Sequence, residues 1–150
     1  MAREERAVFV NMCMIRDGRK LLVIDRQKKD WPGITFPGGH VELRESFVDS
    51  VIREVYEETG LVIEDPVLCG TKQFQTGSDA RYVVLFYKAT RFSGTLKSSD
   101  EGEVFWIERK ELTKYPLAPD MEAMVQVMES DHLSEFYYYK EDGRWNYRLR

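Results

Sequence analysis

Three glutamates, Glu54, Glu57 and Glu58, stand at i, i+3 and i+4 in a segment that stops at Gly60, and this run dictates much of what must surround it. Ser46–Thr59 reads as a helix: Ser46 suits the N-cap with Asp49 at the capping-box position, and Gly60 suits the left-handed stop. Phe47, Val51 and Val55 lie four apart as its core stripe, widened by Val48 and Ile52. The acidic side brings three carboxylates within about one turn, where like charges repel by a few tenths of a kcal/mol per pair. A divalent cation turns that repulsion into a binding site, since hard oxygen ligands suit Mg²⁺ or Mn²⁺.

Strand-like segments flank the helix. Arg6–Ile15 and Lys20–Asp25, joined by Asp17-Gly18, read as a hairpin, followed by a loop over Arg26–Gly39. Val67–Thr76, Arg81–Thr90 and Glu103–Ile107 read as further strands. Met121, Met124, Val125 and Met128 recur at helical spacing, placing a second helix at about 119–130, and an aromatic closing hairpin follows at about 134–150. Strands, helix, strands, helix, strands is the order of an α/β sandwich with a mixed β-sheet, since a doubly wound sheet alternates strand and helix. A length of 150 residues fits one domain over 1–150 with its own core.

Composition narrows the function. The longest apolar stretch, Ala7–Ile15, is far short of the ~20 residues of a membrane span, and no signal-peptide pattern opens the chain. Cys13 and Cys69 stand apart in strand-like segments, as small core residues of a reduced, cytoplasmic protein. A net charge of −4 argues against a stable nucleic-acid partner and leaves open a small nucleotide chelated to a cation.

Ahead of the acidic helix lies Phe36-Pro37-Gly38-Gly39-His40, whose paired glycines let backbone approach a ligand or ion closely. Glu45 precedes the helix, and Arg53 follows eight residues later beside Glu54, a basic group suited to orienting carboxylates. Gly39, Glu45, Arg53, Glu54, Val55, Glu57, Glu58, Gly60 and Leu61 together fill G-x5-E-x7-R-E-U-x-E-E-x-G-U without a mismatch. At ordinary residue usage such a match arises by chance on the order of once per billion starting positions. The segment 39–61 thus resembles the signature of the Nudix hydrolases, and the flanking strands fit that family's α/β/α sandwich. One departure is Arg44, where many relatives carry glycine.

The resemblance implies metal-assisted attack of water on the phosphorus of a nucleoside diphosphate derivative. Glu54, Glu57, Glu58 and the Gly39 carbonyl would hold Mg²⁺ or Mn²⁺, with Arg53 and Glu45 paired and Gly38 supporting the loop. The chemistry has its own logic: phosphoryl attack needs positive charge on the phosphate oxygens, and a carboxylate nearby can take the water's proton. Some relatives draw that base from outside the signature, and Glu101 or Glu103 in Asp100-Glu101-Gly102-Glu103 is the donor here, with Glu42 a weaker candidate. Arg26 stands where relatives place a phosphate-contacting arginine.

The signature is silent on the leaving group. Trp31–Gly39 looks like the corresponding run of MutT-like 8-oxo-dGTP diphosphatases, a branch serving DNA repair by cleansing the nucleotide pool. Asp120 falls where those enzymes read a purine; its other role is as a helix N-cap, and the two are compatible. Asn11, polar in an apolar strand, needs partners on a base or on neighbouring backbone. Two alternatives remain: a Nudix hydrolase of a dinucleoside polyphosphate, nucleotide sugar or RNA 5′ end, and a non-catalytic nucleotide-sensing module, which would be expected to lose the carboxylates kept here.

Overall fold

Strands alternate their side chains between two faces, and the first strand already feeds two separate cores. In the computed structural model, which describes residues 3–150, β1 (Arg6–Asp17) sends Val10, Met12 and Met14 to one core and Cys13 and Ile15 to the other. β2 (Lys20–Arg26) does the same with Leu21 and Val23 against Leu22 and Ile24. A helix closes each face. α1 (Phe47–Thr59) seals one core with Val51 and Val55, and α2 (Met121–Glu129) seals the other with Met121, Met124, Val125 and Met128. The architecture is an α/β/α sandwich.

The remaining large-sheet strands are β3 (Gly33–Thr35), β5 (Val67–Gln75), β6 (Ala80–Ala89), β8 (Gly102–Glu108), β9 (Glu135–Glu141) and β10 (Arg144–Leu149). The sheet runs β10-β9-β5-β6-β1-β2-β3, with β8 also on β2. Pairs β1–β6 and β5–β9 are parallel, so the sheet is mixed. β4 (Leu61–Glu64) and β7 (Arg91–Gly94) form a separate two-stranded ribbon, and a 3₁₀ helix covers Arg109–Lys114. Cys13 is buried and Cys69 half-buried, both unbridged. No helix among the described residues is long and apolar enough to cross a membrane.

Two expectations need correction. The β1–β2 hairpin pairs only beside its turn, at Arg16↔Leu21 and Asp17↔Lys20. Beyond that point the loop 37–41 takes the edge of β1: Asn11 N–H donates to the Gly39 carbonyl at 2.8 Å, Cys13 N–H to Pro37 at 2.9 Å, and Val41 N–H to Phe9 at 3.0 Å. β2 turns away and pairs with β8 from Lys20↔Glu108 to Arg26↔Gly102. The α1 stripe is also rotated. Ser50, Val51, Val55, Glu58 and Thr59 are buried, whereas Phe47 and Val48 are exposed, because the loop seated on β1 draws the Ser50–Glu58 side inward.

The helix ends are as read. Ser46 Oγ accepts the Asp49 N–H at 2.9 Å, and Gly60 takes φ 79° with its N–H on the Tyr56 carbonyl. Asp120 occupies the N-cap position of α2 but makes no capping hydrogen bond, and its φ of 64° is left-handed.

Candidate active site

The glycine loop lies between β1 and the acidic side of α1 with no room for a side chain toward either. A Cβ on Gly38 would strike the Asn11 carbonyl, and one on Gly39 would strike the Glu54 carboxylate. Asn11 is the clamp: its Oδ1 accepts the Gly39 N–H at 3.1 Å and its Nδ2 donates to Ser50 Oγ at 3.0 Å. Of the partners the sequence allows this buried amide, a base or neighbouring backbone, it meets the Gly39 backbone, and its other hydrogen bond goes to the Ser50 hydroxyl.

Arg53 organises the carboxylates. It forks onto Glu45, Nε to Oε2 at 2.7 Å and Nη2 to Oε1 at 3.0 Å. Nη1 donates to Glu54 Oε1 at 2.9 Å and to Glu57 Oε2 at 3.1 Å, while Nη2 also reaches the His40 carbonyl at 2.9 Å. Planar guanidinium geometry makes such multiple pairing possible. The Arg53 hydrogen bond, seconded by one from backbone at Glu42, holds the Glu45 carboxyl down to about 2. Just before it, Arg44 sits at φ 65°, the left-handed conformation that glycine adopts freely. Arg44→Gly is therefore expected to raise stability by about 1 kcal/mol in a denaturant titration, since strain of this kind costs on the order of 1–3 kcal/mol and glycine's unfolded-chain entropy offsets part of the gain. An unchanged or lower midpoint would contradict this.

Glu54 and Glu58 face a cavity of about 440 Å³, together with Gly38, Gly39, Glu101 and Arg26. Glu58 is only 7% exposed. Burial above all, then the charges of Glu54 and Glu101, push its carboxyl up to about 8, against the opposing pull of the Gly38 N–H and Arg26. Burial likewise raises Glu54. Glu57 lies outside the cavity lining, its side chain 55% exposed. Arg26 donates to Asp30 at 2.9 Å and to the Trp31 carbonyl at 2.8 Å, bracing the loop that carries Trp31.

Of the two loop carboxylates, Glu101 reaches the cavity and pairs with Lys28 at 2.8 Å. Glu103 does not: it lies exposed on β8 opposite Asp25. Asp120 is not in the lining either, although its charge acts on Lys72. Among the described residues no three acidic, histidine or cysteine side chains close around one point; Arg53 bridges Glu54 and Glu57 instead.

The far wall is a feature that sequence reasoning missed. Lys72 and Phe74 on β5 stand opposite Val84 and Tyr82 on β6, and all four line the cavity with Trp31 and Met124. The available signal is an i, i+2 pair in which a lysine shares the inward face with an aromatic residue.

Comparison with known proteins agrees with this construction. Residues 5–128 match the NUDIX domain, and the chain belongs to the Nudix family, whose enzymes act on small nucleotide substrates. It is 31% identical over 115 residues to an uncharacterized Nudix hydrolase, YvcI, of Bacillus subtilis (strain 168), covering 73% of this chain and 72% of that one. To the CTP pyrophosphohydrolase of Escherichia coli (strain K12) it is 34% identical over 106 residues, 69% of this chain and 77% of that one. The MutT protein of Bacillus halodurans shares the fold with a TM-score of 0.77 at 29% identity, over 95% of this chain and 97% of that one. The activity class is accordingly that of a Nudix pyrophosphohydrolase.

Proposed function

We propose that the cavity converts a nucleoside triphosphate to its monophosphate and pyrophosphate, and that 8-oxo-dGTP is its substrate. The observation that carries the reaction is one cavity holding the paired carboxylates Glu54 and Glu58 beside Glu101, with an aromatic wall facing them. Nudix hydrolases generally use divalent metals, and the donor set suits one: Arg53 engages only Oε1 of Glu54 and Oε2 of Glu57, and two further charges crowd the buried Glu58. Glu54, Glu57, Glu58 and the Gly39 carbonyl would hold Mg²⁺ or Mn²⁺. When bound, the cation supplies positive charge for the phosphate oxygens and favours ionisation of water.

The protein's own residues do the rest. Arg53 fixes the direction of three glutamates, Asn11 fixes the glycine loop, and Arg26 and Lys28, paired with Asp30 and Glu101, line the cavity where they would meet the phosphates. Glu101, the loop carboxylate that lines the cavity, would take the proton of the attacking water in preference to Glu103, which lies outside the lining. Asp120, free of any capping duty but outside the cavity lining, would bear on a purine through its charge on Lys72.

The oxidised purine reading draws support from the likeness to MutT across 95% of the chain. CTP is the second reading, favoured by the CTP pyrophosphohydrolase relative. A panel of triphosphates with Mg²⁺, its products separated by chromatography, distinguishes them. The highest kcat/KM is expected for 8-oxo-dGTP, with all turnover lost in excess chelator and restored by Mg²⁺ or Mn²⁺. A clear preference for CTP would move the assignment to the second reading, and turnover in excess chelator would contradict both.

A further inference from the structure

Lys72 is a mostly buried lysine whose ammonium faces a cavity and not a carboxylate. Its Nζ lies 5.1 Å from the ring centroid of Phe136, 5.5 Å from Tyr138 and 5.9 Å from Trp31. Among the described residues it has no ion pair within 4 Å; the charge that acts on it is Asp120. Burial lowers its proton affinity and Asp120 opposes that, while three aromatic faces favour the cation. Charged or neutral, the amine keeps N–H donors and finds no protein acceptor at hydrogen-bonding distance among the described residues. An apolar side chain of similar length would fill the same aromatic box without carrying a polar group into it, so filling space does not account for a lysine.

Its position is set by the sheet. Lys72 pairs with Val84, Val84 with Val10, and Val10 with His40 next to Gly39. That row crosses three strand spacings, about 14 Å, from the glycine loop to the lysine. Lys72, Val84, Val10 and His40 all line the cavity. A nucleotide with its phosphates at the Glu54 and Glu58 end of the cavity therefore presents its base toward Lys72, in the part lined by Trp31, Phe74 and Tyr82.

We propose that Lys72 is a specificity-determining residue: its amine donates a hydrogen bond to a carbonyl oxygen on the base edge, selecting keto-bearing bases such as 8-oxoguanine, guanine or cytosine over adenine. This rests on the reading of the cavity as a nucleoside triphosphate site. Adenine in the same place sets its exocyclic amino group against the lysine, donor against donor, whereas a site built to hydrogen-bond one edge rejects a base that lacks it. The inference covers both the 8-oxo-dGTP and the CTP readings, because both bases carry the acceptor.

The test compares kcat and KM for 8-oxo-dGTP, CTP and ATP, with Mg²⁺, in the wild-type protein and in Lys72→Met. In the wild type, ATP is expected to be the poorest of the three. In Lys72→Met, KM for the preferred keto nucleotide should rise by roughly 10- to 100-fold, and the ratio of its kcat/KM to that of ATP should fall by a similar factor. An unchanged ratio in a folded Lys72→Met protein overturns the inference while leaving the nucleotide site standing. A wild-type preference for ATP overturns it as well, and a wild type that hydrolyses no triphosphate removes both readings at once. Should Lys72→Met not fold, Lys72→Gln decides the matter: its donor is too short to reach the same acceptor, so the ratio should fall by about tenfold or more, and no fall is the contrary result.

Discussion

Glu58→Gln is expected to lower kcat by about 10³-fold and, in chelator, to make the protein more stable at pH 8 than the wild type. The loss of activity follows from removing a charge from the group proposed to hold the cation, in a reaction where positive charge and proton transfer carry the barrier. The gain in stability follows from burial. The Glu58 carboxyl lies at about 8 in the folded protein against an ordinary 4.5. Between those values the folded state keeps a proton that the unfolded chain has released, so metal-free stability falls as pH rises from 4.5 to about 8 and levels off above. The amide of the Glu58→Gln variant has no proton to lose, so the difference between the two proteins should widen across that window and reach the order of 10 °C in melting temperature. Excess Mg²⁺ should narrow it by compensating the ionised carboxylate. Melting curves of the two proteins that run parallel from about pH 5 to about pH 8 would contradict the placement of Glu58 as a buried, crowded acid.

Arg53→Lys is expected to be nearly as damaging as Arg53→Met. One guanidinium spans Glu45, Glu54, Glu57 and the His40 carbonyl, and a single ammonium cannot reproduce that planar fork. Groups that orient ligands in this way typically contribute roughly 10- to 100-fold to metal affinity or activity. The Mg²⁺ concentration needed for half-maximal rate should therefore rise by about tenfold or more in both variants, with a lower melting temperature as the fork onto Glu45 and Glu54 is lost. The metal requirement separates this positioning role from mere support of the fold, which would lower the melting temperature and leave the Mg²⁺ dependence where it was. Wild-type Mg²⁺ dependence in Arg53→Lys would show that the fork is dispensable.

The acidic helix is legible in the sequence because its signals are local: a serine cap, a glycine stop and carboxylates one turn apart. The second helix and the closing hairpin are legible for the same reason. What the sequence conceals depends on partners distant in the chain. Nothing in Arg6–Asp25 alone says that the loop 37–41 will take the edge of β1 and push β2 toward β8, a choice made by Gly38 fitting against Asn11. The rotation of α1 has the same origin, which is why Phe47 is exposed and Glu58 buried. Glu101 and Glu103 are equivalent on paper, and their places at the start of β8 separate them. At Lys72 the only local signal is Phe74 two residues on, and the aromatic residues of β9 that pack around the lysine lie far along the chain.

The central claim, that this cavity directs water onto the phosphorus of a nucleoside triphosphate to release pyrophosphate, is tested most directly by hydrolysis in ¹⁸O-labelled water. With Mg²⁺ and 8-oxo-dGTP the products should be monophosphate and pyrophosphate in equal amounts, with the label in one of the two according to whether the α or the β phosphorus is attacked. Release of labelled orthophosphate, leaving a diphosphate behind, would contradict the account.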